Sequence, residues 1–448
     1  LKMNNVTKQI FLLAWPAILE MMMHTLVWTA DTAMVGRLTP AAITGVNLGA
    51  NIMFAVGHIF GALGIGATAM VARYIGAKEK EKAEFIGAQA LSIGMVMSVV
   101  LGILGILFAK PIITSIVDDP EVIVLGTDYL RIVMGGLIFY IPLVIGNAIL
   151  RGAGNTVIPL ISAILANTFN IIGDYGLIFG RLGLPELGVR GAAIATGSAQ
   201  ALGAIVTLYY VIRGTAGIQV KIKDLIKWDF KTIRNVVGLS TPAGLEMLMN
   251  EGSRLLSSFW IAQLGTVAFA GHSLAIAAES ISFMPGYGIA IAATTLVGQN
   301  LGDNNVVDAD ESAKKSVLYA SILMGLVGVA FFLIPYPIMR LFSTDHETVA
   351  LAAVCLRVGA LEQIPIAIAI VVSGALKGAG DTKGPFKIAL ITNLTVRLPL
   401  IYFIVFVWRL HIGYVWAATA LQFMVEALLM VVRYKKGQWK STEIQWEQ

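Results

Sequence analysis

Twelve apolar runs, all of them longer than twenty residues, are separated by charged or turn-rich breaks and decide what this chain can fold into. They fall near 9–35, 45–71, 85–109, 122–147, 156–180 and 188–212, and again near 237–262, 268–297, 316–338, 348–375, 385–408 and 411–432. A run of that length crosses a bilayer as a helix, because a helix satisfies its own backbone hydrogen bonds where no water is present. A membrane barrel would show short alternating segments instead. Composition points the same way. The chain is 57% hydrophobic and 13% charged, with a mean hydropathy of +0.79, whereas soluble domains are about 25% charged. Those figures exclude a soluble enzyme and a disordered chain alike. The 46 glycines suit close contact between membrane helices. The expected fold is therefore all-α and polytopic, with twelve transmembrane helices.

Basic residues orient the spans. With the N-terminus in the cytoplasm, 22 of the 32 lysines and arginines, Lys2 and Lys8 among them, lie on the cytoplasmic side. Six lie outside, and Arg131, Arg254, Arg357 and Arg397 lie within spans. The bias places both ends of the chain in the cytoplasm. The first run contains Pro16, Glu20 and Asp31 without a small-residue cleavage site, and it reads as a span, not a signal peptide. Cys355, the single cysteine, has no partner for an internal disulfide. No G-x-x-x-x-G-K-[ST] loop is present, which argues against ATP-driven pumping by this chain.

The chain repeats itself at a constant shift of 226 residues. Pro16-Ala17-Ile18-Leu19-Glu20 returns as Pro242-Ala243-Gly244-Leu245-Glu246. Arg151-Gly-Ala-Gly-Asn-Thr156 returns as Lys377-Gly-Ala-Gly-Asp-Thr382, and Asp119, Glu121 and Arg131 return as Asp345, Glu347 and Arg357. Each repeat holds six spans, so both halves enter the membrane from the same side. Two pseudo-symmetric six-helix bundles follow, 1–212 and 236–435, joined by a cytoplasmic linker 213–235 and followed by a tail 436–448. Substrate sites of such transporters lie between the halves near mid-membrane. In the linker, Lys221-Ile-Lys-Asp-Leu-Ile-Lys-Trp-Asp-Phe230 mixes basic and apolar residues. It reads either as an amphipathic segment on the membrane surface or as a plain solvated linker.

Charged side chains inside a bilayer cost roughly 2.5–3.5 kcal/mol each on insertion scales, so each needs a reason. Glu20, His24 and Asp31 share one face of the first span at 100° per residue. Asn167, Asn170 and Asp174 share a face of the fifth, at i, i+3 and i+7. Two aspartates from separate helices facing one cavity could share a proton. With Asn170 and Thr196 they could alternatively form an oxygen cage for sodium. The second half lacks these groups: the 226 shift takes Asp31 to Ser257, Asn170 to Val396 and Asp174 to Leu400. Ion handling is therefore expected in the N-terminal bundle. Glu246, Asn250 and Glu251 are secondary polar positions, as are Glu20 and His24, and Glu251 with Arg254 reads as a structural ion pair. Met23, Met53, Phe54, Met249, Met284 and Tyr287 are expected to line a substrate cavity, since thioethers accept varied apolar ligands.

These residues carry a family likeness. Asp31-Thr-Ala-Met-Val-Gly36, Val71-Ala-Arg-Tyr-Ile-Gly-Ala77 and its repeat Val297-Gly-Gln-Asn-Leu-Gly302 resemble the multidrug and toxic compound extrusion (MATE) antiporters. So do Arg151-Gly-Ala-Gly-Asn-Thr156, Asp174-Tyr-Gly-Leu-Ile-Phe-Gly180 and Gly191-Ala-Ala-Ile-Ala-Thr196. The likeness covers essentially the whole chain and is greatest to the branch of the DNA-damage-inducible protein F. It implies two bundles forming a V around a central cavity, and export of lipophilic, often cationic drugs driven by inward flow of protons or sodium. Asp31, Asn170, Asp174 and Thr196 match that branch's N-terminal ion site, with sodium, if it is the ion, at Asp31, Asn170 and Asp174. Glu362 and Glu251 are the acids to consider for a C-terminal sodium site. The resemblance further implies a monomer in a bacterial or archaeal cytoplasmic membrane, in contact with lipid, with no cofactor, no nucleic-acid partner and no enzymatic reaction. The alternative within transport is a flippase for lipid-linked oligosaccharides, which would line its cavity with arginines. A membrane-embedded enzyme would have to use Asp118-Asp119-Pro120-Glu121, whose repeat, Thr344-Asp345-His346-Glu347, loses the first aspartate.

Overall fold

The computed structural model describes residues 5–442; Lys2 and the end of the tail, 443–448, lie outside the described residues. The first six spans are α1 (Asn5–Val35), α2 (Pro40–Gly61) continued by α3 (Leu63–Gly76), α4 (Lys80–Thr114), α5 (Pro120–Gly152), α6 (Val157–Phe179) and α7 (Val189–Arg213). A single turn, α8 (Ile222–Ile226), lies in the linker. The second set begins with α9 (Phe230–Ala262), α10 (Thr266–Gly302) and α11 (Val306–Leu333), followed by the short α12 (Pro335–Arg340). Next, α13 (His346–Gly359) runs into α14 (Gln363–Gly378) through a 3-10 turn. The eleventh span is α15 (Lys383–Thr392) and α16 (Leu398–Tyr402), each followed by a π-helical turn, and α17 (Ile412–Lys435) is the twelfth. Among the described residues there is no strand.

Eleven of these segments are long and apolar enough to cross a bilayer on composition alone. The remaining one, α9, has 33 residues and is made polar by Glu246, Glu251 and Arg254. The twelve helices form two bundles. Several helices begin before their apolar runs. In α11 the charged stretch ahead of residue 316 continues the helix, stitched by Lys314–Asp310 at 2.6 Å and Lys315–Glu311 at 2.7 Å. Such i,i+4 pairs stabilise a helix that has already left the hydrocarbon.

The repeat is legible at single atoms. Thr68 Oγ1 donates to the Ala148 carbonyl at 2.9 Å, and Thr294 Oγ1 donates to the Gly374 carbonyl at 2.9 Å. Asp119 caps α5 and Asp345 caps α13, which accounts for both acids without chemistry. Gly154 and Gly380 turn the two G-A-G loops at φ of 88° and 92°, a region that favours glycine.

Contacts divide the chain into two compact units at Ile18/Leu19 and Gly244/Leu245. The second cut lies 226 residues after the first. One unit runs from Leu19 to Gly244; the other takes the residues up to Ile18 and those from Leu245. The sequence-expected limits follow chain order, whereas the contacts assign the leading halves of α1 and α9 each to the opposite unit. In the first unit, Ser240 Oγ of α9 donates to the Leu63 carbonyl at 3.1 Å. In the second, Val6, Ile10, Leu13 and Ala14 of α1 share a core with Ile289, Ala293, Leu296 and Met324. Glycine permits that contact, because a Cβ on Gly288 would fall 2.6 Å from the Ile18 nitrogen. Each cut follows a proline inside its helix, Pro16 or Pro242, where a backbone hydrogen bond is lost and the helix can bend.

Asp229 opens α9. It accepts from the Lys231 and Thr232 nitrogens at 3.2 and 3.3 Å and from the Thr232 hydroxyl, which hold its carboxyl below the usual range. A depressed folded-state value means that the cap contributes fully above the ordinary carboxylate range and is lost as pH falls through the folded value. Asp229→Ala is expected to cost about 1 kcal/mol. Thermal unfolding in detergent at neutral pH checks it, and the difference from wild type should shrink in acid.

Candidate functional site

Four helices of the Leu19–Gly244 unit build one polar cluster. Asp31 comes from α1, Asn170 and Asp174 from α6, Thr196 from α7 and Tyr129 from α5. Asn170 and Asp174 are one turn apart and so share a face. Helices α6 and α7 approach closely because Gly173 and Gly191 have no side chains. A Cβ on Gly191 would fall 2.4 Å from the Leu177 carbonyl oxygen. That approach brings Thr196 beside Asn170. Helix α2 lies on α5 through Gly45 and Gly49, and the Tyr129 ring occupies the space over Gly49.

Asp174 and Asn170 are buried, at 1% and 3% exposure. Asp31 is half-buried and faces a cleft of about 30 Å³ shared with Trp28, Asn47, Phe54, Tyr129 and Thr196. That is room for a water or two and too little for an organic substrate. The carboxyls of Asp31 and Asp174 are within hydrogen-bonding reach of each other. Asn170 bridges them. With its amide nitrogen towards the carboxyls, it donates to Asp31 Oδ1 at 2.8 Å and to Asp174 Oδ2 at 3.3 Å, while its oxygen accepts from the Thr196 nitrogen at 3.3 Å. Asp174 Oδ1 has no hydrogen-bond partner. Two ionised carboxylates in contact repel strongly in a low-dielectric interior, so the arrangement is suited to holding a proton or a cation between them. Tyr129, which lines the same cleft as Thr196, completes the wall. The sequence reading missed it. Only the packing of α5 on α2 brings it in, and its repeat equivalent, Cys355, shares no chemistry with it.

The other sequence-flagged residues separate. Glu20 is buried and ion-paired with Arg151 at 2.5 Å, so it ties α1 to the first G-A-G loop. His24 is exposed. Glu246, the repeat of Glu20, pairs with Lys377 at 2.9 Å and accepts from Ser373 Oγ at 3.3 Å. Glu251 and Arg254 pair at 2.5 Å, both more than half exposed. Asn250 accepts from Asn393 at 2.9 Å. Of the apolar candidates, Met23, Phe54, Met249 and Met284 are half-buried and Tyr287 is exposed. Met53 is fully buried. It lies in the same i+4 row as Gly45, Gly49 and Gly57, the face of α2 that packs on α5.

The second unit has buried acids of its own. Glu279 of α10 and Glu362 of the 3-10 turn are buried within hydrogen-bonding reach, and neither Glu362 oxygen has a donor. Gln363 donates to Glu279 at 3.2 Å and accepts from Ser282 at 2.7 Å. Glu426 of α17 is buried against Gln422 at 2.5 Å. The 226 shift takes Glu279 to Met53 and Glu362 to Gly136, so the two acid groups are not repeat copies.

The model of the MatE family matches residues 16–176 and again 242–403, the second match starting 226 residues after the first. The chain belongs to the MatE family. MatE proteins are membrane transporters, and this chain is an integral membrane protein of that kind. A relative from Thermotoga maritima called probable multidrug resistance protein NorM is 29% identical, over 98% of this chain and 94% of that protein. Multidrug resistance protein MdtK of Pectobacterium atrosepticum is 24% identical, over 94% of each. Among solved structures, a MATE transporter in complex with MaL6 superposes with a TM-score of 0.91 at 21% identity, over 98% of each chain. That likeness extends the fold beyond the residues that the family model matches.

Proposed function

We propose that this MatE-family protein is a secondary antiporter of the cytoplasmic membrane that exports lipophilic, often cationic organic compounds in exchange for protons. The observation that carries the reading is the Asp31–Asn170–Asp174 cluster, with Asn170 and Asp174 buried and one Asp174 oxygen unpartnered. An amide nitrogen facing both carboxyls suits a proton held between them. Turned the other way, with its oxygen towards the carboxyls and its nitrogen 3.5 Å from Thr196 Oγ1, Asn170 would suit a sodium ion instead. The multidrug resistance relatives support the substrate class. The flippase alternative has less support, because three of its four span arginines are engaged: Arg254 with Glu251, Arg357 with the Phe332 carbonyl at 3.2 Å, and Arg397 beside Ser257 at 3.5 Å.

In this mechanism, a proton arriving from outside neutralises the Asp31–Asp174 pair and changes the contacts that hold the outer half of α1. The helix rearranges about Pro16, the organic compound leaves outward, and proton loss to the cytoplasm resets the carrier. Proton and substrate need only favour opposite conformations by their differential affinity. Efflux of a fluorescent organic cation from proteoliposomes, with proton and sodium gradients imposed separately, tests this. The expected result is proton-driven export that Asp31→Asn abolishes. Sodium-driven export that survives the substitution would move coupling to the acids of the other unit and overturn the assignment.

A further inference from the structure

The linker between α7 and α9 carries bulky apolar side chains that the protein leaves uncovered. Ile222, Ile226 and Phe230 are 60%, 78% and 74% exposed, and Trp228 beside them is also exposed. Lys223, Lys227, Lys231 and Arg234 are interleaved with them and exposed as well. This is no slack loop. Gln89 of α4 has no exposed surface, and its amide nitrogen donates to the Asp224 and Lys227 carbonyls at 2.8 and 2.7 Å. The Gln89 oxygen accepts from the Asp229 nitrogen at 2.9 Å. Ser92 Oγ donates to the Leu225 carbonyl at 2.8 Å, and Glu84 accepts from the Gln219 nitrogen at 3.1 Å. Three side chains of one membrane helix therefore fix the linker backbone at the end of the span.

A segment that is held rigidly yet presents isoleucine, tryptophan and phenylalanine outward needs an apolar medium on that side. Lysines alternating with those residues need anions at the same depth. The bilayer beside α4 supplies both, in its acyl boundary and its headgroups. We propose that residues 221–234 form an interfacial anionic-lipid site: Ile222, Ile226 and Phe230 insert at the acyl boundary, and Lys223, Lys227, Lys231 and Arg234 bind phospholipid phosphates. The site anchors the start of α9 at the membrane surface. It is independent of which ion drives transport.

A polarity-sensitive fluorophore attached through Ile226→Cys tests the site in the full-length protein, since Cys355 is fully buried and does not compete for the label. Reconstitution is into phosphatidylcholine alone and into phosphatidylcholine with phosphatidylglycerol. The probe should be quenched by spin-labelled lipid and shielded from aqueous iodide. Spin-labelled phosphatidylglycerol should quench it several-fold more than spin-labelled phosphatidylcholine, within the limit of about fivefold per lysine at a surface. Lys223→Gln with Lys227→Gln and Lys231→Gln should abolish that preference while the probe stays embedded. A probe open to iodide would show a solvated linker and overturn the proposal. Equal quenching by the two lipids in the parent protein would overturn the anionic site and leave only apolar anchoring.

Discussion

Asp174→Asn is expected to lower proton-driven efflux at least about tenfold, the scale of a lost coupling of 1–3 kcal/mol, without lowering the melting temperature. The two halves of this expectation come from one geometry. Asp174 is 1% exposed, and its Oδ1 has no donor. A buried oxygen without a partner is a standing cost, and its carboxyl also faces that of Asp31. An amide of the same shape fills the same space, carries no charge, and brings a donor to a place that holds two acceptors. The fold should therefore be as stable as before or more so, while the group that takes up and releases the proton is gone. That combination is the mark of a functional acid kept against stability. Efflux of a fluorescent cation under an imposed pH gradient gives the rate, and binding of the same cation in detergent should persist. Glu362→Gln is the companion measurement. If it stops efflux and Asp174→Asn does not, coupling belongs to Glu279 and Glu362, and the N-terminal reading falls.

The cluster was open to sequence reasoning to the extent that helical spacing reaches. Asn170 and Asp174 share a face because they are four residues apart, and Asp31 stands out because a carboxylate in an apolar run needs a reason. Tyr129 gives no such signal: a tyrosine in a membrane span is ordinary, and its place at the site depends on Gly49 of another helix. Glu279 and Glu426 lie within apolar runs, so the rule that singles out Asp31 applies to them equally; the 226 shift hides them by matching Glu279 to Met53 and Glu426 to Gln200. The spans were legible from hydropathy, and their ends less so, because charged helix formers carry α11 past the hydrocarbon. The assignment of half-helices to opposite units left no local trace. It is decided by tertiary contacts such as Gly288 on Ile18 and Ser240 on Leu63, although the paired prolines at 16 and 242 mark where each crossover falls.

Arg151→Met is expected to be the most destabilising single change among the ion pairs, at about 3–5 kcal/mol. Its partner decides the size. Glu20 is 1% exposed and its Oε2 has no hydrogen-bond partner, so removing the guanidinium leaves a buried carboxylate with its strongest contact gone. The penalty is that of an orphaned charge, not the net worth of the pair. Combining Arg151→Met with Glu20→Gln should therefore recover much of the loss, since the remaining amide costs far less to bury. The repeat supplies an internal comparison. Lys377→Met removes the equivalent cation, but Glu246 keeps the Ser373 hydroxyl at 3.3 Å, so its loss should be smaller. Unfolding midpoints of the wild type and the three variants in one detergent, read by fluorescence-detected gel filtration, order these effects. If Arg151→Met alone were no less stable than the double variant, the ion pair would not anchor α1 to the first G-A-G loop.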